Sequence, residues 1–346
     1  PTPPTGSGVG ERLLYRFEGS TMGTYFVVKV VESADEPLSE LVQAEVGEAI
    51  EQQLDEVNDL MSTWLDDSEL SRFNQWISTE RFTVSPPTFE VMHAAIEIGE
   101  ATGGALDVTI GPLVDAWGFG PSGRPTDESR PDDETIQTLL DGTGLEHLAL
   151  DPATPDGVEK RIPELEVELS SLAKGYAVDR VADALVTAGY SDLMVEVGGE
   201  VRTVGTNLEG RPWRMAIERP SAELGKIQRV VPLSGLAMAT SGDYRNYREV
   251  DGERVSHLLD PRTGRPIGHK LASVSVVDRT CLRADGLSTA LMVMGPDEGF
   301  SWATQAGLAA LFLVRSDTAD SFVEQATPAF DALIDGALET TSGDTP

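Results

Sequence analysis

The chain has 346 residues, 40% of them hydrophobic, which is enough to bury the core of one large domain or of two ordinary ones. Its 58 acidic and 26 basic residues give a formal net charge of −32, which argues against a nucleic-acid partner because the phosphates would be repelled. There is no run of about 18 apolar residues, so no membrane-spanning helix is predicted. An anionic ligand must therefore meet a local cation, a metal ion or backbone N–H groups, and the acidity itself is best explained as a surface suited to high salt.

The chain is predicted to open with a flexible tether and a pair of strands. The tether, residues 1–12, begins with a segment rich in Pro, Gly and Ser that has little apolar content. The pattern over residues 15–31 predicts a strand that is interrupted by a turn at residues 19–24. Residues 40–58 have the period of an amphipathic helix, and a second, short helix is expected to start at Ser68.

The later elements are predicted to mix helices and strands within one domain. Helices are expected over residues 86–102 and 135–143, and strands over residues 147–169. The remaining predicted elements are strands at 193–204 (broken at a double glycine), 213–218, 230–234, 237–240, 271–277 and 308–315, a helix at 283–293, and a disordered tail over 338–346.

Residues 164–185 change period in the middle. Apolar residues alternate with polar ones up to Leu169, as in a half-buried strand, and after Gly175 they follow the period of a helix. The corner between strand and helix would present free N–H groups and a positive dipole end, which favour a phosphate. Lys174 would add a charge, and Ser171 a hydroxyl and a carbonyl. The alternative is an ordinary strand–helix junction with a solvated lysine.

Asp285 and Thr289 are four residues apart in a predicted helix, so their oxygens face the same way. A carboxylate and a hydroxyl so placed can hold Mg²⁺, with substrate phosphates completing the coordination. The alternative is a capping Asp and a buried Thr that bonds its own helix. The single cysteine excludes an internal disulfide, and the lack of HExxH or HxH pairs makes a zinc site an unfavourable prediction.

Eight sequence blocks occur in the order of one known family, and through them residues 15–315 resemble the ApbE-type FAD:protein FMN transferases. Each block alone is weakly specific, whereas eight in order are strongly so. The blocks are GSTMGT (19–24), MSTWLDDSELSRFN (61–74), TGGALDVTIGPLVDAWGFG (102–120), ELSSLAKGYAVD (168–179), EVGGEVRTVG (196–205), ATSGDY (239–244), HLLDPRTG (257–264) and ADGLSTALMVMG (284–295).

The resemblance implies an α+β fold related to T-folds, with mixed sheets and helices packed in a single domain over residues 13–337. Enzymes of this family bind FAD as substrate with Mg²⁺ and transfer its FMN half to a Thr or Ser of an acceptor flavoprotein subunit, releasing AMP. The family usually works outside the cytoplasm. A periplasmic, membrane-tethered lipoprotein is therefore expected, with a signal peptide and a lipidated cysteine upstream of Pro1.

The resemblance also assigns site residues by position. The FAD site would be lined by Met22, Trp64, Leu106, Asp107, Val108, Glu168, Lys174 and Leu258. The metal would be held by Asp285, Thr289 and the carbonyl of Ser171. Trp64 stands where Tyr is common and can still stack on a flavin or adenine ring, while Glu168 is longer than the common Asp.

The acceptor hydroxyl needs a group that takes its proton. His257 is the candidate base, because an unperturbed imidazole has a pKa near ~6.5 and is neutral at working pH. Asp260 is predicted to orient this imidazole. The alternative for His257 is a structural histidine that bridges two loops.

Two other functions are compatible with the sequence. One is an FAD-binding protein that transfers nothing, and the other is an FAD pyrophosphatase that yields FMN and AMP with water as the acceptor. Rossmann-type dinucleotide binding is disfavoured because no GxGxxG follows a predicted strand.

Overall fold

The computed structural model describes residues 11–121, 130–221, 225–243, 247–250, 253–318 and 321–342. The helices are α1 (Glu40–Met61), α2 (Glu69–Gln75), α3 (Pro86–Ala101), α4 (Gly111–Ala116), α5 (Asp133–Leu140), α6 (Ser170–Thr187), α7 (Cys281–Gln305) and α8 (Pro328–Ser342). The strands are β1 (Arg12–Thr21), β2 (Thr24–Ser33), β3 (Phe82–Thr83), β4 (Leu148–Leu150), β5 (Gly157–Lys160), β6 (Leu193–Val197), β7 (Glu200–Val204), β8 (Trp213–Glu218), β9 (Ile227–Leu233), β10 (Ala237–Gly242), β11 (Tyr247–Val250), β12 (Glu253–Ser256), β13 (Leu259–Asp260), β14 (Arg265–Pro266), β15 (Leu271–Asp278), β16 (Ala309–Arg315) and β17 (Phe322–Ala326).

An eight-stranded sheet in the order β1-β2-β6-β7-β10-β15-β16-β17 forms the centre of the fold, and its neighbouring strands are antiparallel. The β1–β2 connection is a two-residue turn. Met22 and Gly23 there have φ of 48° and 70°, the left-handed conformations that such a hairpin requires. Smaller sheets, β3-β5-β4, β8-β9, β11-β12 and β13-β14, surround the large one.

The two faces of the large sheet belong to different cores, because side chains alternate along each strand. Val30 packs with α1, α3, α6 and α7 on one face, while its neighbour Val31 packs on the other face against the β8–β9 hairpin and Phe330 of α8. Phe312 and Leu311 of β16 divide in the same way. The described chain is therefore a helix–sheet–hairpin sandwich.

Helix α1 illustrates how the sequence selects these elements. Ser39 caps it by accepting a hydrogen bond from the Val42 amide at 3.3 Å. Its buried residues recur every three or four positions and so form one stripe, which contacts α6 below it, namely Val46, Ile50, Leu54, Val57 and Met61.

The predicted strand leading to Leu169 is wrong. Residues 165–169 keep the alternating burial but pair with no strand in the described ranges. The side chain of Asn74 takes the place of a neighbouring strand: it accepts from the Val167 amide at 2.8 Å and donates to the Val167 carbonyl at 2.9 Å. The Glu168 amide bonds the Val108 carbonyl at 2.7 Å. The alternation of apolar and polar residues therefore predicted correctly which side chains are buried. The backbone of residues 165–169, however, bonds to a loop and to a side chain and not to a neighbouring strand.

Helix α6 begins at Ser170, so Gly175 lies inside the helix and not at a corner. A Cβ at Gly175 would lie 2.4 Å from the Cys281 carbonyl oxygen and 2.8 Å from the Asp285 Cβ. The glycine is needed because α7 crosses α6 at this point. Most other predicted helices and strands are present, with ends shifted by a few residues.

The two predicted termini are only partly described. Residues 1–10 of the predicted tether and residues 343–346 of the predicted tail lie outside the described residues, and Arg12 already belongs to β1. Residues 338–342 are helical as the end of α8, in contrast to the predicted disorder.

No helix in the described ranges has both the length and the apolar composition needed to cross a membrane.

Candidate functional site

A cavity of about 870 Å³ opens where the turns and loops at one end of the sheet meet α6 and α7. Its walls come from the β1–β2 turn, the loop after α3, α4 and the loop after it, the start of α6, the β6–β7 turn, the end of β10, the β12–β13 loop and α7. The predicted site residues that line it are Met22, Trp64, Leu106, Asp107, Glu168, Ser171, Lys174, His257, Leu258, Asp285 and Thr289.

Val108 and Asp260 do not line this cavity. Val108 is 2% exposed and packs in the core, and its carbonyl accepts a hydrogen bond from the amide of Glu168. The carboxylate of Asp260 accepts hydrogen bonds from the Arg262 amide and guanidinium at 2.9–3.0 Å. An FAD contact for Val108 and an orienting role for Asp260 both stay predictions.

Asp285 lies one turn into α7 and is 3% exposed. Its Oδ2 accepts a hydrogen bond from the Gly175 amide at 2.9 Å. Burial raises the pKa of Asp285 to about 7, although the nearby Lys174 ammonium opposes that shift. In a regular helix the Gly175 amide serves the carbonyl of Ser171, so sharing it with Asp285 leaves that carbonyl with spare acceptor capacity.

The start of α7 is fixed to α6 by a second carboxylate. Asp179 of α6 accepts hydrogen bonds from the Cys281 and Leu282 amides at 3.0 and 2.9 Å, and so caps the helix. Arg202 of β7 donates to the same carboxylate at 3.0 Å. This clamp places Asp285 and the next turn of α7 at the cavity wall.

Thr289 faces a group of hydroxyls. Its Oγ1 is 3.1 Å from the Ser241 Oγ, which is also 2.8 Å from the Ser288 Oγ. Ser241 is carried by the end of β10 and was not predicted as a site residue, although it stands in the ATSGDY block. The groups that could bind a metal here are a carboxylate, hydroxyls and a carbonyl. All of them offer oxygen atoms, which are the ligands that a hard cation such as Mg²⁺ prefers.

Lys174 pairs with a buried carboxylate that the sequence interpretation missed. Its Nζ lies 2.6 Å from Oε1 of Glu200, a residue that is 4% exposed and also lines the cavity. Burial alone would lower the pKa of Lys174, but the carboxylates of Asp285 and Glu200 outweigh it and raise the pKa above its ordinary value. The ammonium is therefore charged at neutral pH.

Glu168 and Asp107 form an acidic wall near the start of α6. Glu168 bonds the Ser170 amide at 2.9 Å and the Ser170 hydroxyl at 2.5 Å, so the first free N–H of α6 is capped by its own chain. Asp107 accepts from the Thr109 amide and hydroxyl at 2.8 and 2.6 Å. Burial raises the pKa of both carboxyl groups.

The charges of the lining residues do not favour an anion without help. Four carboxyl groups stand against one ammonium among the described lining residues, so the formal charge is −3 when all four carboxyl groups are ionised. Within the described ranges, no group of three or more His, Cys, Asp or Glu side chains is arranged to hold a metal ion. A metal in this cavity would thus rely on one carboxylate together with hydroxyl, carbonyl and ligand oxygens.

The outer part of the cavity is aromatic. The His257 ring meets Phe119 edge-on, with 6.3 Å between centroids. Trp64 is 69% exposed at the rim. The Trp117 Nε1 donates to the Gly264 carbonyl at 2.9 Å, which ties the loop after α4 to the β13–β14 turn.

Comparison with known proteins identifies relatives along most of the chain. The sequence model of the ApbE family matches residues 22–312. The chain is 47% identical over 312 residues to a Vibrio cholerae protein named FAD:protein FMN transferase, covering 90% of each chain. It is 40% identical over 318 residues to the protein of that name from Escherichia coli K12, covering 92% of this chain and 88% of the relative.

Solved structures give the same result. The flavin transferase ApbE of Vibrio cholerae superposes with a TM-score of 0.82 at 45% identity, covering 92% of this chain and 99% of that one. The apo form of the Pseudomonas stutzeri flavinyl transferase ApbE gives a TM-score of 0.83 at 40% identity, covering 95% and 99%. These matches confirm the predicted α+β fold class and the resemblance in sequence, and the chain belongs to the ApbE family.

Proposed function

We propose that this protein is an FAD:protein FMN transferase that depends on Mg²⁺. The observation that carries the proposal is that one cavity unites oxygen atoms of the kind that bind Mg²⁺, a charged lysine, an imidazole and an aromatic rim. Its volume of about 870 Å³ lies near the upper end of the range for ligand pockets, ~300–1,000 Å³, as a dinucleotide requires. The names of the relatives support the same activity.

The residues that would hold Mg²⁺ are Asp285, Thr289 and the carbonyl of Ser171. When bound, the ion would neutralise the pyrophosphate of FAD and favour attack at phosphorus. Hydrogen bonds hold two of these groups in place: the Gly175 backbone amide donates to the Asp285 carboxylate, and the Ser241 hydroxyl bonds the Thr289 hydroxyl. Lys174 would supply a second positive charge to the pyrophosphate.

The apolar and aromatic lining would hold the rings. Met22, Leu106 and Leu258 offer apolar surface, and Trp64 at the rim is free to stack on a flavin or adenine. Because the rim is exposed, the acceptor segment can enter from the same side.

In the proposed reaction, the Thr or Ser oxygen of the acceptor attacks the phosphorus of the FMN half. A new P–O bond to the acceptor forms, the P–O bond to AMP breaks, and AMP leaves with the electron pair. His257 takes the proton of the attacking hydroxyl. Positioning and electrostatic stabilisation supply most of the acceleration in such transfers, which suits a site built mainly from fixed charges.

The test is mass spectrometry of an acceptor fragment with a Thr/Ser flavinylation motif, incubated with the protein, FAD and Mg²⁺. One covalently attached FMN per fragment is expected, with an equal amount of AMP. The Asp285→Ala variant serves as the negative control. Free FMN and AMP without labelled fragment would instead identify an FAD pyrophosphatase, and bound, unchanged FAD would identify a flavin-binding protein.

A further inference from the structure

Glu200 lies in the cavity wall and has no part in the proposed reaction. It is 4% exposed, and its Oε1 lies 2.6 Å from the Lys174 Nζ. Its Oε2 is buried and has no hydrogen-bond partner among the described residues. A buried carboxylate oxygen without a partner is costly, so this arrangement calls for an explanation other than packing.

The fold fixes this carboxylate tightly. Glu200 follows the β6–β7 turn, where Gly198 and Gly199 have φ of 62° and 109°. A Cβ at Gly198 would lie 2.9 Å from the Thr24 Cγ2 and 3.4 Å from the Glu200 Oε2. The β1–β2 and β6–β7 turns therefore pack against each other at this point, and the side chain of Glu200 is held between them and α6.

Lys174 is the sole hydrogen-bond partner of this carboxylate in the described part of the chain. Lys174 itself is about a third exposed, and it is the one Lys or Arg among the described residues that line the cavity. A long, flexible ammonium next to Asp285 would otherwise be free to pair with that carboxylate and compete with a bound cation. Glu200 gives it a fixed alternative partner.

We infer that Glu200 is a positioning residue, which holds the Lys174 ammonium at the cavity wall where the pyrophosphate of FAD would lie; this rests on the proposed function. The direction in which FAD affinity changes when Glu200 loses its charge distinguishes this role from a simple charge effect. If Glu200 acted only through its negative charge, removing that charge would strengthen the binding of an anion. If it positions Lys174, removing the charge weakens binding, although the cavity becomes less negative.

The experiment measures FAD affinity with Mg²⁺ by fluorescence quenching for four proteins: wild type, Glu200→Gln, Lys174→Met and the double variant. Glu200→Gln is expected to lower FAD affinity about 10-fold, the scale of a charge-assisted hydrogen bond. In the Lys174→Met background the same change should have an effect within about twofold, because its effect passes through Lys174. Glu196→Gln, in the same hairpin but outside the cavity, controls for the loss of one negative charge and should leave affinity unchanged.

Tighter or unchanged FAD binding by Glu200→Gln would overturn the inference, and so would an equal loss in both backgrounds. The double variant buries no unpaired charge, so comparing it with Lys174→Met keeps the test valid if Glu200→Gln does not fold. Since binding is measured directly, a wild-type chain that binds FAD but transfers nothing would contradict the proposed function alone.

Discussion

At Asp285, burial works against the charge that a metal ligand needs, and the Gly175 amide and Lys174 work for it. Replacing Asp285 with Ala should abolish Mg²⁺-dependent transfer and weaken FAD binding, because the site loses its one carboxylate ligand. Thr289→Val should be milder, since it removes a neutral ligand from a cation that readily retains waters. Transfer rates measured over a range of limiting Mg²⁺ check both. Wild-type behaviour of Asp285→Ala at limiting Mg²⁺ would remove this residue from the site.

At His257, a substitution should slow the chemical step without weakening the binding of FAD. His257→Ala should keep FAD affinity within a few-fold but slow single-turnover transfer by at least ~10²-fold, the lower end of general-base contributions. If His257 only bridges two loops, the His257→Ala variant should lose thermal stability and FAD affinity together, while the fraction of the variant that has FAD bound transfers FMN at the normal rate. Measuring binding, thermal unfolding and single-turnover transfer on one preparation distinguishes the two. Intact transfer at saturating FAD would move the role to a carboxylate, with Asp260 or Asp285 as the next candidates.

Side-chain types and spacing, together with the family resemblance, predicted Asp285, Thr289 and His257 as site residues, and all three line one cavity. Glu200 was not predicted, although it stands in the EVGGEVRTVG block. In the sequence it is one polar residue at the start of a strand, and its burial arises only when two turns and α6 meet around it. Val108 shows the opposite case: its position in a motif suggested a ligand contact, while its side chain packs in the core.

At the scale of elements, the crossing of α6 and α7 depends on Gly175. A Cβ there would meet backbone atoms of Cys281, which cannot rotate away. Gly175→Ala should lower the free energy of unfolding by about 1–3 kcal/mol, the usual cost of overpacking, and should also weaken Mg²⁺-dependent FAD binding by displacing Asp285. Urea unfolding and FAD titration measure the two effects.

Gly336 in α8 is the matched control for that change. A Cβ at Gly336 meets nothing within 4 Å, so Gly336→Ala should be neutral or should stabilise by up to about 1 kcal/mol, through helix propensity alone. Equal stability of the Gly175→Ala variant and the wild type would show that the two helices can separate without cost.

The elements with strong periodicity, such as α1 and the β1–β2 hairpin, were predictable because local sequence and tertiary packing agree there. Residues 165–169 show where this agreement ends. The alternation of apolar residues records which side chains are buried, but it does not record what the backbone bonds to. The partners come from Asn74 and Val108, far away in sequence, so the distinction between a strand and an extended loop could not be read from the segment.

At the scale of the whole molecule, the net charge of −32 should make stability depend on salt. The Debye length falls from ~30 Å at 0.01 M to ~10 Å at 0.1 M salt, so added NaCl screens repulsion across the molecule. It also weakens surface ion pairs such as Arg16–Glu18, but each contributes only about 0–1 kcal/mol. The urea midpoint should therefore rise with NaCl over this range. A constant or falling midpoint would mean that local ion pairs outweigh the net charge.

The charge of the molecule and the charge of its cavity have the same sign, so FAD and Mg²⁺ should depend on each other for binding. Because four carboxyl groups and only one ammonium line the described part of the cavity, the pyrophosphate meets repulsion unless a cation accompanies it, and the cation gains phosphate ligands only when FAD is present. Linkage requires that Mg²⁺ raise FAD affinity by the same factor by which FAD raises Mg²⁺ affinity, expected within about 5- to 150-fold. Calorimetric titration of each ligand with and without the other measures both factors.

Two controls make this coupling specific to the proposed site. NaCl at matched ionic strength in place of Mg²⁺ should reproduce only a small part of the increase, because general screening supplies no directed ligand. In Asp285→Ala the coupling factor should fall toward one while the fold persists, as checked by unfolding. FAD binding of equal strength with and without Mg²⁺ in the wild-type chain would mean that Lys174 and backbone N–H groups suffice for the pyrophosphate, and the metal would then have no part in substrate binding.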